Sequence, residues 1–194
     1  IETIRHIVKS LPVNYQLYVK ENPNAGTRDW HSIDEYKEIM KIPNVKLIHP
    51  SANVETIYEN SSLVIATAGS SAFEAAAYGK PSIIFSDQIY DILPSVFKVK
   101  NIDDLSELIR KALQTKVNAN DLDRYIHLLE KNTFDYDILG FSATFKDIFY
   151  HGGNLLDVTI SEEKLRKFLE EQKDTLEKFT LEHIKRINWY KSND

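Results

Sequence analysis

The segment of the chain most able to do chemistry runs Leu63-Val-Ile-Ala-Thr-Ala-Gly-Ser-Ser-Ala-Phe-Glu-Ala-Ala-Ala-Tyr-Gly-Lys-Pro-Ser-Ile-Ile-Phe85. An apolar run delivers the chain to a turn of small residues, and an alanine-rich helix follows. Backbone N–H groups at such a junction have no intrahelical partner and can meet an anion. Gly69 lets a ligand approach the backbone closely. The hydroxyls of Thr67, Ser70 and Ser71 add donors. Glu74 lies one helical turn beyond Ser70, where its carboxylate can accept hydrogen bonds from sugar hydroxyls. A plainer reading stands beside this one: Ser70 caps the helix and Glu74 is a solvated surface acid.

Other patterns carry less. Asp135-Tyr136-Asp137 has the Asp-x-Asp form of a metal-dependent sugar-transfer motif. It follows a helix rather than a strand end, so no metal is expected. No pair of histidines has zinc-ligand spacing with a third ligand nearby. Gly-x-Gly-x-x-Gly, Gly-x-Ser-x-Gly and the P-loop lysine motif are absent. His151-Gly152-Gly153 can form a turn or an anion nest, on weak evidence. No general base stands out, so no catalytic residue is assigned.

The elements that must position the turn follow from hydrophobic spacing. Helices are expected near 4–11, over Ser32–Ile42, Asn53–Asn60, Ala72–Tyr78 and Ile102–Thr115. Ser32 and Glu35 have capping-box spacing, and Gly79 and Pro81 close the alanine-rich helix. Strands are expected at Tyr15–Val19, Val45–Ile48, Leu63–Ala66, Ser82–Phe85 and Val96–Val99, with loop from Lys20 to Gly26. Apolar strands without alternation, separated by helices, point to a parallel sheet covered on both faces. The expected fold class is therefore α/β: a parallel sheet flanked by helices over 1–116, with a helical C-terminal extension over 117–194 packing on it. Helices are expected at Leu122–Lys131 and Glu162–Trp189, and the aromatic-rich segment Phe134–Leu156 reads as irregular. The second helical run carries Leu165, Phe168, Leu169, Leu176, Phe179, Ile184 and Ile187 among mixed charges, as a solvated helix with one packed face.

The chain has 194 residues, which suits one to two domains at roughly 150 residues each. Its net charge of −5 argues against a general nucleic-acid binder. It has no cysteine, which removes disulfide scaffolds, thiolate metal sites and cysteine nucleophiles together. No stretch reaches the ~20 apolar residues of a membrane span, and no signal peptide is visible. Ile1 falls inside a helical pattern, so an upstream segment is expected.

Thr-x-Gly-Ser-Ser-x-x-Glu-Ala followed by Gly-Lys-Pro and a buried strand resembles the donor half of GT-B glycosyltransferases. It is most similar to the capsule and surface polysaccharide biosynthesis proteins of bacteria and archaea. The resemblance covers roughly residues 13–115. It implies a Rossmann-like, nucleotide-sugar-binding domain in which Ser70 and Ser71 meet the phosphates and Glu74 accepts from ribose or sugar hydroxyls. Gly79, Lys80 and Pro81 become structural. Family members that use CMP-activated acidic sugars show Lys-x-His-Pro at the end of the first strand of this half. Here Lys20 and Pro23 are kept, and Asn22 replaces the histidine, which removes a proton carrier near neutral pH. Lys20 can still neutralise phosphate. The resemblance also makes His49, at the next strand end, a base or phosphate contact, against the plainer reading of a satisfied turn residue.

The implied partners are a nucleotide-sugar donor and an N-terminal acceptor half of the same protein, without which this chain is expected to transfer no sugar. No cofactor is implied. The implied location is the cytoplasm, extending to peripheral association at the inner face of the membrane. Two other function classes stay open. Non-hydrolysing sugar-nucleotide epimerases use a related turn, and a non-catalytic binding or assembly domain could keep the turn without the chemistry.

Overall fold

The computed structural model describes residues 1–22, 31–150 and 160–193. Contacts divide the chain into two compact units, Ile1–Leu128 and Leu129–Asp194. Pro23 and the rest of the loop expected up to Gly26 lie outside the described residues, as does His151-Gly152-Gly153.

Helix and strand alternate through the first unit up to β4: α1 Glu2–Ser10, β1 Leu17–Lys20, α2 Ile33–Lys41, β2 Val45–Ile48, α3 Val54–Asn60, β3 Val64–Ala66, α4 Ser71–Ala77 and β4 Ser82–Ile84, followed by β5 Val96–Lys98 and α5 Leu105–Gln114, while α6 Ala119–Asn132 spans the boundary between the units. This is a mixed α/β chain, and every strand pair is parallel. The strands form two short ladders, β1-β2 and β3-β4-β5, rather than the one continuous sheet that the alternation suggests. Strands of three or four residues offer few ladder bonds each, so side-chain packing must hold them.

That packing covers both faces of the three-stranded ladder. Side chains alternate along a strand. Ile65 and Ile83, paired in register, join Ile7 of α1 and Leu105, Ile109 and Ala112 of α5 in the core. Ser82 faces the other way, where its hydroxyl donates to the Ala72 carbonyl of α4 at 3.0 Å. Ala72 and Ala75 are fully buried, and their small side chains let α4 lie close to the strands.

Local signals in the sequence set several boundaries. Ser32 and Glu35 exchange both hydrogen bonds of the capping box. Gly79 ends α4 with φ +69°, while the Gly79 and Lys80 amides donate to the Ala76 and Ala75 carbonyls. That double bond is the Schellman arrangement, and it needs a left-handed residue. In α6, Tyr125 packs edge-on against Phe73 at 5.5 Å.

The second unit corrects one expectation. The segment expected to be irregular contains a helix, α7 Ile138–Phe149. Phe141, Phe145 and Phe149 recur every four residues, so one helical face carries all three rings. Asp137 caps it by accepting from the Gly140 amide at 2.9 Å. A Cβ at Gly140 would collide with the same carboxylate. The long C-terminal helical run is two helices, α8 Glu162–Glu171 and α9 Lys173–Asn193, parted at Gln172. Phe168 of α8 is buried against Phe141, Phe145 and Phe149. The packed face expected of α9 contains no buried residue.

Candidate functional site

Thr67, Gly69, Ser70 and Ser71 form the turn between β3 and α4, at the carboxyl end of a parallel strand. Open α/β sheets bind ligands at such ends. Gly69 has φ +105°, a left-handed backbone that favours glycine, and a Cβ added there meets nothing within 4 Å. Thr67 through Ser70 are exposed. The amides of Ser71, Ala72 and Phe73 have no acceptor among the described residues.

The plainer reading of Ser70 fails on geometry. Its side chain makes no capping bond, and its backbone is already helical at φ −73°, ψ −16°. The hydroxyl instead donates to Glu74 Oε1 at 2.5 Å. Glu74 is not simply a solvated acid either. Its Oε2 accepts from the Tyr58 phenol of α3 at 3.0 Å. Both carboxylate oxygens thus carry a hydroxyl donor.

The turn is held from beneath by residues that motif reasoning missed. Ser86, just past β4, donates to the Thr67 carbonyl at 3.0 Å. The Tyr90 phenol donates to the Gly69 carbonyl. Tyr90 packs on Phe73 at 6.0 Å, which in turn packs on Tyr125. Burial raises the phenol pKa of Tyr90, and the neighbouring Tyr125 adds to that. Burial first and the Glu74 bond second hold the Tyr58 phenol far above its ordinary value. Both phenols therefore stay protonated and remain donors across ordinary pH. An available signal was a tyrosine on the inward face of the short helix before β3. Ser86 and Tyr90 had none, because they arrive from the next connection.

The β1-β2 ladder gathers a second set of residues. Lys20 pairs with Ile48 in register, so Lys20 and His49 stand at adjacent strand ends, with Asn22 two residues beyond Lys20. Lys20 Nζ reaches the Glu21 carbonyl at 3.4 Å and has no carboxylate partner among the described residues. His49 is a turn residue. Its Nδ1 accepts from the Ser51 amide at 3.2 Å and lies 2.6 Å from the Ser51 hydroxyl. Accepting at Nδ1 puts the proton of the neutral ring on Nε2. No hydrogen bond or ion pair joins Lys20 or His49 to the turn after β3. The structure therefore joins Ser70 to Glu74 directly, and Lys20 to His49 by strand register.

Lys80 has a structural role: its ammonium donates to the Glu59 carbonyl at the end of α3, at 2.9 Å. In the second unit, Asp135 and Asp137 line a cleft of about 350 Å³ with Tyr136, Thr144, Gln172 and Lys178. The Asp137 carboxylate serves as the cap of α7. Among the described residues no group of three or more histidine or acidic side chains is arranged to hold a metal ion. No helix there is long and apolar enough to cross a membrane.

Comparison with protein-family models, with curated proteins and with solved structures gives no match. The fold and the turn together define a mixed α/β protein with parallel strands and a hydroxyl-rich, acid-bearing strand-to-helix junction.

Proposed function

We propose that this chain is the nucleotide-sugar-binding half of a GT-B-type glycosyltransferase of capsule or surface polysaccharide synthesis, with its first unit a Rossmann-like donor domain. One observation carries the reading. The Ser70 hydroxyl and the Glu74 carboxylate meet at 2.5 Å beside an exposed turn at the carboxyl end of β3. That pairing puts a donor for phosphate oxygen next to an acceptor for sugar or ribose hydroxyls, the two chemistries of a nucleotide-sugar.

In this reading Thr67, Gly69, Ser70 and Ser71 receive the phosphates, and Glu74 receives a hydroxyl. Lys20, Asn22 and His49, at the ends of β1 and β2, supply charge and polar contacts to the rest of the donor. As the sugar leaves, negative charge grows on the departing phosphate, and fixed donors with a lysine stabilise it. The acceptor and the general base belong to a separate acceptor half, and the complete enzyme works at the cytoplasmic face of a membrane.

The test is direct. A thermal-shift screen with UDP-, CMP-, GDP- and dTDP-sugars should find a ligand that raises Tm, because binding to the native state alone stabilises it. Ser70→Asp should abolish that binding in calorimetry while Tm without ligand stays near the wild-type value. Unchanged affinity in this variant would remove the site from the turn.

A further inference from the structure

Glu74 sits between two hydroxyl donors with unequal freedom. Tyr58 is 3% exposed, and its ring packs against Tyr78 at 5.3 Å. Its phenol cannot leave Oε2 without disturbing α3. Ser70 is exposed, and its hydroxyl can swing off Oε1 by rotation about one side-chain bond. One bond is an anchor and the other is exchangeable.

We propose that Tyr58 is a positioning residue for Glu74, and that the Ser70–Glu74 hydrogen bond is a latch opened by a ligand bearing both a hydroxyl and an anionic oxygen. The proposal rests on the donor-site reading above and goes further by saying what the site selects. A ligand hydroxyl takes the place of Ser70 on Oε1. The released Ser70 hydroxyl then donates to the ligand's anionic oxygen. A ligand offering only the anion must draw Ser70 away and leave Oε1 without its donor. A ligand offering only a hydroxyl leaves the exposed Ser70 hydroxyl to water and makes no bond with it. Either partial ligand therefore makes one bond fewer at the site than a ligand that bears both groups. The latch therefore favours a nucleotide-sugar over pyrophosphate, although both carry phosphate. Tyr58 matters because an untethered Glu74 could follow Ser70 outward and lose that selection. The raised pKa of the Tyr58 phenol suits this duty, since a protonated phenol keeps donating.

Two measurements on the full 194-residue chain test it. The first needs no ligand: thermal unfolding of Tyr58→Phe, Glu74→Ala and the double variant. If the tether exists, the double variant loses no more Tm than the worse single variant, as contacting residues are non-additive. Additive losses overturn the tether. The second is calorimetry of wild type and Tyr58→Phe with the four nucleotide-sugars and with pyrophosphate. The wild type should prefer a nucleotide-sugar, and Tyr58→Phe should cut that preference about tenfold while pyrophosphate affinity holds, the size of one hydrogen bond to a charged group. General damage to the turn would weaken both ligands alike. An unchanged preference overturns the latch and leaves the donor-site reading standing. A wild type that binds no nucleotide-sugar overturns that reading and the latch together.

Discussion

The two units of this chain are built from different materials. In Ile1–Leu128 the fully buried side chains include Ile83, Leu105, Ile109, Ala72, Ala75 and Ala112, all aliphatic, and the buried rings, Tyr58, Tyr90 and Tyr125, gather around α4 and its turn. Among the described residues of Leu129–Asp194 the buried side chains are two aromatic rings, Phe149 and Phe168, and α9 buries nothing. The first unit spreads its burial over strands and over helices on two faces. The second concentrates it where a few rings meet, while its long helix carries local ion pairs such as Lys173–Glu177 at 3.8 Å and Lys185–Glu182 at 2.6 Å. Exposed pairs of that kind contribute only ~0.3–0.5 kcal/mol each. The contrast teaches where a rigid site can stand. Preorganised chemistry needs side chains locked by packing, and the turn after β3 has that support.

The contrast can be broken most sharply at Phe168. Phe168→Ala removes the ring shared by Phe141, Phe145 and Phe149 and should cost about 3–5 kcal/mol. Helicity should fall on heating well before the first unit melts, and the turn should keep its ligand affinity. A single unaltered transition by circular dichroism would refute a second unit centred on that ring.

Leu105→Ala is the matching change in the first unit. It opens a cavity beside Ile7, Ile83 and Ile109 and should cost ~2–5 kcal/mol. Here the loss should be cooperative, with α/β signal and ligand binding disappearing in one transition. Loss of helix alone, with binding retained, would show that the two units share their stability.

The smallest effect sharpens the comparison electrostatically. Lys98 at the end of β5 bonds Asp87 at 2.6 Å and Asp91 at 2.9 Å. These bonds raise the Lys98 pKa to about 12 and hold the Asp87 carboxyl below its ordinary value. A depressed carboxyl contributes stability that is complete above its unfolded pKa and is lost as pH falls through the folded one. The raised lysine contributes below its unfolded pKa and loses that contribution as pH rises through about 12. Asp87→Asn should therefore lower the first unit's Tm slightly and evenly across pH 7–9 and converge on the wild type at low pH, so that the acid limb flattens. An acid limb identical to the wild type would show that the exposed Asp87 partner contributes nothing.

Much of the first unit was legible because its signals are local. Short runs rich in apolar residues mark β2, β3, β4 and β5 to within a residue or two. Ser32 with Glu35, Asn53 before α3 and Gly79 after α4 stop or start helices through bonds spanning a few residues. The α7 helix was not legible by the same means. Its rings fall in a segment that reads as irregular, and its cap, Asp137, belongs to a run with the form of a metal motif. The division of the strands into two ladders was hidden as well, since which strands pair depends on chain packing and not on any one run.

At the candidate site the same division holds. Sequence alone determined that a strand, a small-residue turn and a helix succeed one another between Leu63 and Ala77, and that Ser70 and Glu74 fall one turn apart. Spacing of four on a helix suffices for that. It also put Lys20 and His49 at the ends of apolar strands, although Lys20 proves to be the last residue of β1 and not the first of the loop. Only the tertiary structure decided what those groups do. Tyr58 reaches Glu74 from sixteen residues upstream and Tyr90 reaches Gly69 from twenty-one downstream. The Ser70 hydroxyl makes no capping bond and turns to the Glu74 carboxylate. The strand register sets Lys20 beside the residue before His49. The physical reason is that hydrogen-bond donors are short and directional, so their partners are set by which segments the core brings within about 3 Å, and a core made of distant residues leaves no local trace in the chain.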